Sequence, residues 1–352
     1  MNIYKIVLTG GPCAGKTKVF DYVKKELEED NYYVISVSET ARECILNGIV
    51  PYNDKEHTLK FQDYMLQYQS LKEDIAYDYA LNIKDKDFEF IKNKKGIIIL
   101  YDRSRMDNRA YLPLNDFENL LNKYNYKELD ILGKYDLVID LISTATLKQD
   151  AYINDEARKE SPEVSALLDK YTTHSYLLHH NLKVVKPTED INDKKELVLE
   201  LIYNLINNTQ TKEIIRTSLN NNTIIDLNND NSKIINQTKI YLDNDDIYNN
   251  VIYINEYKNE ISYIYRREFI IDNKLYYKDS RYLNKDEYKY LLNVNPILKK
   301  EQKSIIKVIE NGCKYDIVND SNSCYIEYEI INKEKGKVKR KIKWNGGNYG
   351  II

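Results

Sequence analysis

Ile3-Tyr4-Lys5-Ile6-Val7-Leu8-Thr9-Gly10-Gly11-Pro12-Cys13-Ala14-Gly15-Lys16-Thr17 is the stretch on which the fold turns. Residues 3–8 form an apolar run of the kind buried in a parallel sheet. From Gly10 the chain completes a G-x-x-x-x-G-K-T, and a helical pattern opens at Lys16 and runs to about Glu29. A strand before and a helix after are the context in which this motif cradles phosphate. Triphosphate oxygens need several converging N–H donors. Glycines let the backbone wrap that closely, and the helix N-terminus adds its positive dipole. Gly10, Gly11, Pro12, Cys13, Ala14, Gly15, Lys16 and Thr17 are therefore the candidate nucleotide-binding residues. Lys16 is expected to reach the β- and γ-phosphates, and the Thr17 hydroxyl to ligate Mg²⁺. The expected cofactors are Mg²⁺ and ATP or GTP.

Beyond this loop, Tyr33–Val37 reads as a second strand ending at Ser38-Glu39, Gly96–Tyr101 as a third, Tyr135–Leu141 as a fourth and Lys183–Val185 as a short fifth. Helical stretches fill about 39–47, 56–92 and 194–207, and one more runs to about His180. Strands alternating with helices predict an α/β P-loop fold over residues 1–207, a parallel sheet with helices on both faces. The character changes near Asn207-Asn208-Thr209. Short β-rich runs follow at 213–217, 223–227, 234–242, 251–254, 261–272, 274–278, 304–309, 315–318, 325–332 and 338–344, with one helix near 285–293. Residues 208–352 are thus expected to form an antiparallel, β-rich α+β or barrel domain.

Composition bounds the function. The 352 residues suit about two domains; 42% are hydrophobic and 30% charged. The net charge of -3 gives no bulk field toward nucleic acid or anionic lipid. Cys13, Cys44, Cys313 and Cys324 show no C-x-x-C spacing, so reduced thiols in a cytoplasmic protein are expected. The first residues have neither the basic head nor the apolar length of a signal peptide. No stretch approaches the ~18 apolar residues that cross a membrane. The 33 tyrosines are read as a compositional bias, which weakens inference from any single Tyr.

No N-K-x-D or D-x-x-G of a regulatory GTPase stands in place. Asp102-Arg103 ends the third strand instead. Asp102 is expected to hold Mg²⁺ directly or through water, and Arg103 to touch a phosphate, the alternative being an ordinary strand-end turn. Glu39 would face an acceptor pocket as hydroxyl-orienting group or general base, or serve as a first-turn acid of the next helix. Arg158, in the charged segment 153–163, is either a lid arginine brought to the transferring phosphoryl group or part of a solvated helix end. The pair His179-His180 has no third ligand nearby in sequence and reads as structural or surface-exposed, as do His57 and His174.

In order, the P-loop, SETARECILNG (38–48), FQDYMLQYQSLKED (61–74), YDRSRMDNRAYL (101–112) and NDEARKESPEVSALLD (154–169) resemble one family, the NadR/Ttd-type AAA domain. This is a kinase-like P-loop domain found at the N-terminus of proteins similar to the TRPL translocation defect protein. The resemblance covers about 1–207. Beyond the P-loop its most specific string is Asp102, Arg103, Asp107, Ala110, Tyr111 and Leu112. It implies binding of ATP or GTP. Lys186-Pro187 stands where an Asp-Asn type ending is expected, so the base contact is left unassigned.

In that family a domain similar to CYTH, the triphosphate tunnel fold, often follows. NQTKIYL (236–242), YIYRREF (263–269), LYYKDSRYLNKDEYKYLL (275–292) and CYIEYEI (324–330) fall in that order, in degenerate form. Asn236-Gln237-Thr238-Lys239 replaces the metal-holding E-x-E-x-K strand, and Tyr263 and Tyr265 replace expected arginines. The resemblance leaves Lys239, Arg267, Lys278, Arg281, Lys307, Glu327 and Glu329 as charges that can line a tunnel. Without the acids, metal-dependent triphosphate hydrolysis is not expected there. Binding of a phosphorylated small molecule or anionic headgroup and a purely structural or partner-binding role both stay open. For the whole chain there are two readings. One is a small-molecule phosphotransferase or NTPase, with lysine, Mg²⁺ and lid arginine acting on an acceptor near Glu39, Gln62 and Gln69. The other is a nucleotide-dependent binding protein whose second domain holds an anionic ligand without hydrolysing it.

Overall fold

Strand β1 (Ile3–Thr9) sits at the centre of a five-stranded parallel sheet of order β2-β3-β1-β4-β5. Its neighbours are β3 (Ile97–Asp102) and β4 (Leu137–Leu141), with β2 (Tyr33–Val37) and β5 (Leu182–Val185) at the edges. In this computed structural model the described residues are 1–51, 54–143, 162–207, 211–218, 232–243, 248–271, 274–310, 313–319, 324–332, 341–343 and 349–351. Arg158 and the expected strand at 223–227 lie outside them. Contacts divide the chain into two compact units, Met1–Asn208 and Thr209–Ile352.

The central strands are apolar at successive positions because helices cover both faces. On one face Ile6, Leu8, Ile98, Leu100, Leu137 and Ile139 meet Val19, Val23 and Leu27 of α1 (Lys16–Glu29) and Val198 and Ile202 of α7 (Ile191–Asn207). Burial of each such side chain contributes about 1.5–3 kcal/mol. α3 (Lys55–Ile83) packs on β2 and β3. α2 (Thr40–Leu46), α4 (Leu114–Lys123), α5 (Glu128–Leu132) and α6 (Pro162–Ser175) complete the unit. α3 ends at Ile83, short of the predicted 92. The next residues, Lys84-Asp85-Lys86-Asp87, offer no apolar face to continue a packed helix. Asp54 caps its start: its side chain accepts from the His57 backbone N–H at 2.9 Å and faces the His57 ring at 2.7 Å, which gives His57 a structural place in the first turn. His179 is structural too, bonded to the Tyr135 carbonyl at 3.0 Å.

The second unit is a closed antiparallel barrel of eight strands. They are β6 (Thr211–Ser218), β7 (Ser232–Tyr241), β8 (Tyr248–Tyr257), β9 (Glu260–Ile271), β10 (Lys274–Leu283), β11 (Lys299–Glu310), β12 (Cys313–Asn319) and β13 (Cys324–Asn332), in the order β10-β6-β13-β12-β11-β7-β8-β9. A helix, α8 (Lys285–Val294), opens with an Asn284/Glu287 capping box. Period two fixes which side chains face inward. Lys239 on β7 is 1% exposed. Burial lowers its pKa, while Glu268 and Glu327 raise it and Lys303 and Arg216 add to the lowering. Those groups come from β9, β13, β11 and β6, so this face is the interior.

That parity corrects one expectation. Arg266, stacked over the rings of Tyr253 and Tyr277 at 4.9 and 3.9 Å, shares the interior face with Glu268. Arg267 and Arg281 lie on the opposite face, which α8 covers: Tyr263 stacks on Tyr288 and Arg281 pairs with Glu287 at 3.5 Å. The α8 face that stacks Tyr288 on Tyr263 decides the parity, and the alternation alone does not. Lys307, exposed and paired with Asp316 at 3.8 Å, keeps the inward parity, as does Glu327. The Lys278 and Glu329 side chains lie outside the described residues.

Candidate functional site

The predicted phosphate loop joins β1 to α1 as the motif requires. Gly10 has φ 141°, and a Cβ there would come within 2.2 Å of the Leu141 carbonyl oxygen. Gly15 has φ 81° and a Cβ there would meet Ile191 at 2.9 Å. Both positions therefore need glycine. Cys13 also takes a left-handed conformation, at φ 58°. Lys16, only 4% exposed, donates Nζ to the carbonyls of Gly10 at 2.8 Å and Gly11 at 3.0 Å. Thr17 stands exposed at the start of α1.

Asp102 is the last residue of β3 and pairs in register with Leu8. Its Oδ1 is buried with no hydrogen-bond partner among the described residues. Burial pushes its carboxyl up to about 6, Glu39 adds to this, and Lys16 and Arg103 oppose it. An unpartnered carboxylate oxygen beside the Lys16 loop suits a cation, and a hard divalent ion takes such oxygens together with a hydroxyl and substrate phosphates. Among the described residues no cluster of three or more His, Cys, Asp or Glu forms a metal site by itself. The donor set fits an ion that arrives with a nucleotide.

Arg103 turns the chain out of β3 at φ 68°. Its Nε donates to Glu39 at 2.8 Å and its Nη1 to Asp107 at 2.9 Å. Asp107 is a hub the sequence reading did not assign. It also accepts from the Thr9 hydroxyl at 2.5 Å, the Ser104 N–H at 2.8 Å and the Tyr176 hydroxyl at 2.5 Å. The Glu39, Gln62 and Gln69 predicted to share an acceptor pocket do line one cavity, of about 240 Å³, together with Pro12 of the loop, Arg103 and Asp107. Gln69 is spoken for, accepting from the Thr40 hydroxyl and donating to Glu73 at 3.0 Å. Phe61, Met65, Ile45 and Tyr111 give the cavity an apolar side.

Two further buried acids flank the loop. Asp169 on α6 accepts from the N–H of Gly11 at 2.8 Å and of Ser143 at 3.0 Å. Burial pushes it up to about 6. Asp140, at the end of β4, accepts from the Thr173 hydroxyl at 2.5 Å. Burial pushes it up to about 7, with the Thr173 bond opposing and Asp169 and Asp107 adding. An acid inside the apolar run Leu137–Leu141 was the sequence signal for Asp140. Asp169 carried no such signal. Because the folded pKa of Asp140 is raised, the folded state keeps a proton that the unfolded chain has already lost. Stability from this residue therefore falls as pH rises from about 4 to 7. Asp140→Asn is expected to leave stability unchanged near pH 4 and to raise it by about 2–4 kcal/mol at pH 8, measured by urea unfolding at both pH values.

A parallel sheet whose central strand runs into a Gly-Lys-Thr loop, with an acid at the end of the adjacent strand, defines a P-loop nucleotide-binding domain. The chain belongs to the AAA_28 family, an AAA domain, whose model matches residues 5–194. Ras-like protein rasU of Dictyostelium discoideum is 25% identical over 120 residues, 34% of this chain and 54% of that protein. The chain thus spans about half the length of that curated relative. Among solved structures, the PH1819 protein from Pyrococcus horikoshii OT3 and a conserved hypothetical protein from Pyrococcus furiosus each show 14% identity and a TM-score of 0.27, covering 35% of this chain and 80% of theirs. No helix among the described residues is long and apolar enough to cross a membrane.

Proposed function

We propose that the N-terminal unit is a phosphotransferase that moves the γ-phosphoryl of Mg-bound ATP or GTP to a hydroxyl of a small molecule. The observation that carries this is the cavity that begins at Pro12 of the phosphate loop and holds Glu39 and Arg103 in its wall. A pure nucleotide switch needs no second pocket beside its phosphates. Gly10–Thr17 bind the triphosphate, with Lys16 leaving its two carbonyls for β- and γ-oxygens. Thr17 and Asp102 hold Mg²⁺, which supplies charge neutralisation on the phosphates when bound. Glu39, oriented by Arg103, takes the proton of the acceptor hydroxyl. The hydroxyl oxygen bonds to the γ-phosphorus, the bridging bond to the β-phosphate breaks, and the nucleoside diphosphate leaves. Asp107 fixes Arg103, so the pair enters the reaction already aligned. Arg158 remains the proposed lid arginine.

Release of nucleoside diphosphate, followed with a panel of hydroxylated metabolites, tests this. One acceptor class is expected to stimulate release. Glu39→Gln should cut the stimulated rate by about 10²–10⁴ and leave nucleotide affinity within about twofold. A Glu39→Gln enzyme with the wild-type rate would remove Glu39 from the chemistry.

The barrel favours a second reading. Its interior gathers Arg216, Lys239, Arg266 and Lys303 with Glu268, Glu301 and Glu327, and cations grouped in this way can meet an anionic ligand. On that reading the nucleotide is bound and not spent, and no metabolite stimulates diphosphate release.

A further inference from the structure

α3 is two-sided. Gln62, Leu66, Gln69, Glu73, Ala76 and Ala80 are buried. On the opposite side Tyr64, Tyr68, Leu71, Ile75 and Tyr79 are 53, 43, 57, 59 and 43% exposed. At about 100° per residue these five fall in one stripe about 80° wide. Single exposed apolar residues need no explanation, but a continuous stripe along a 29-residue helix does.

The spacing of the stripe says what covers it. From Tyr64 to Ile75 the steps are four, three and four, the same read from either end, and alternating threes and fours make a helix-pairing seam. Laid antiparallel on itself about the point between Gln69 and Ser70, the stripe sets Tyr64 against Ile75 of a second copy and Tyr68 against Leu71. One step further out, Lys60 meets Tyr79, with Asp78 beside it. That places a cation over an aromatic ring next to a carboxylate. Parallel pairing would instead oppose Lys60 to Lys60 and Asp78 to Asp78. A self-complementary patch of this kind closes as a two-fold dimer. We propose that α3 is the interface of a homodimer in which two copies of this helix pack antiparallel through Tyr64, Tyr68, Leu71, Ile75 and Tyr79.

The area sets the strength. Each of the five has roughly half of a large side chain's 150–250 Å² to bury. That gives on the order of 500 Å² per copy and about 1,000 Å² in all, the lower edge of a specific interface. The dimer should therefore dissociate on dilution through micromolar concentrations. Because Phe61, Gln62, Met65 and Gln69 of the same helix line the cavity beside the phosphate loop, pairing would stiffen the wall of that cavity.

Sedimentation velocity of the full chain from about 1 to 200 μM tests the proposal across the range its area implies. The expected result is a monomer–dimer equilibrium that Leu71→Glu/Ile75→Glu shifts to monomer at every concentration while nucleotide affinity is retained. Register is read separately. In Tyr64→Cys/Ile75→Cys the two sites lie about 16 Å apart along one helix, beyond disulfide reach. Oxidation should then give a dimer whose mapped bond joins position 64 to position 75. A wild-type monomer throughout the range, a dimer indifferent to the Glu pair, or a 64–64 bond in place of 64–75 would overturn it.

Discussion

Lys16→Ala is expected to weaken binding of Mg-bound ATP or GTP by about 100-fold or more, with the fold intact. Each charge-assisted bond from this ammonium to phosphate is worth about 1.5–3 kcal/mol, and Lys16 would make them to two phosphate groups. In the free protein its Nζ bonds the neutral carbonyls of Gly10 and Gly11. What the protein itself loses includes those two bonds, offset by no longer burying a cation that is 4% exposed. Circular dichroism should therefore match wild type while calorimetric titration shows the lost affinity. Unchanged affinity in the folded variant would dismantle the P-loop assignment.

Glu73→Ala is expected to destabilise the N-terminal unit by about 3–5 kcal/mol, the cost of stranding one member of a buried ion pair. The Glu73 and Arg105 side chains are 2% and 1% exposed, with Arg105 Nε on Glu73 Oε2 at 2.8 Å. Glu73 also accepts from the Arg105 N–H at 3.1 Å, Gln69 at 3.0 Å and the Tyr135 hydroxyl at 2.8 Å. Its loss leaves the guanidinium with Asp74 at 2.5 Å and the Ser70 carbonyl at 3.1 Å. This cluster ties α3 to the residues after β3, so it holds both walls of the cavity. In urea unfolding of the full chain, the transition that nucleotide moves to higher urea belongs to this unit. A loss under about 1 kcal/mol in that transition would mean the pair is solvated or replaceable.

The parallel sheet and the phosphate loop were legible because each rests on local signals: buried apolar runs, a fixed glycine spacing and the helix that follows. The barrel strands were legible for the same reason, since alternation and turn residues are local. Which face of β9 points inward was not. Arg266 and Arg267 are adjacent, and the packing of α8 on Tyr263 separates them. The site divides the same way. Glu39 and Asp102 could be placed at the ends of β2 and β3, and Gln62 and Gln69 on one helix, from local pattern. The roles of Asp107 and Asp169 depend on partners 98 and 158 residues away, which one sequence does not pair. The end of α3 at Ile83 was missed because Phe88 and Phe90, which stack on each other, prolong the apolar pattern past the charged run that stops the helix.

The most direct test follows the γ-phosphate. The full chain is incubated with γ-labelled ATP or GTP, Mg²⁺ and a small-metabolite extract, and the labelled products are separated. The phosphotransferase account predicts label on a small molecule, absent when the extract is omitted and absent with Lys16→Ala. Label found only as free phosphate, or retained on bound nucleotide, would contradict it.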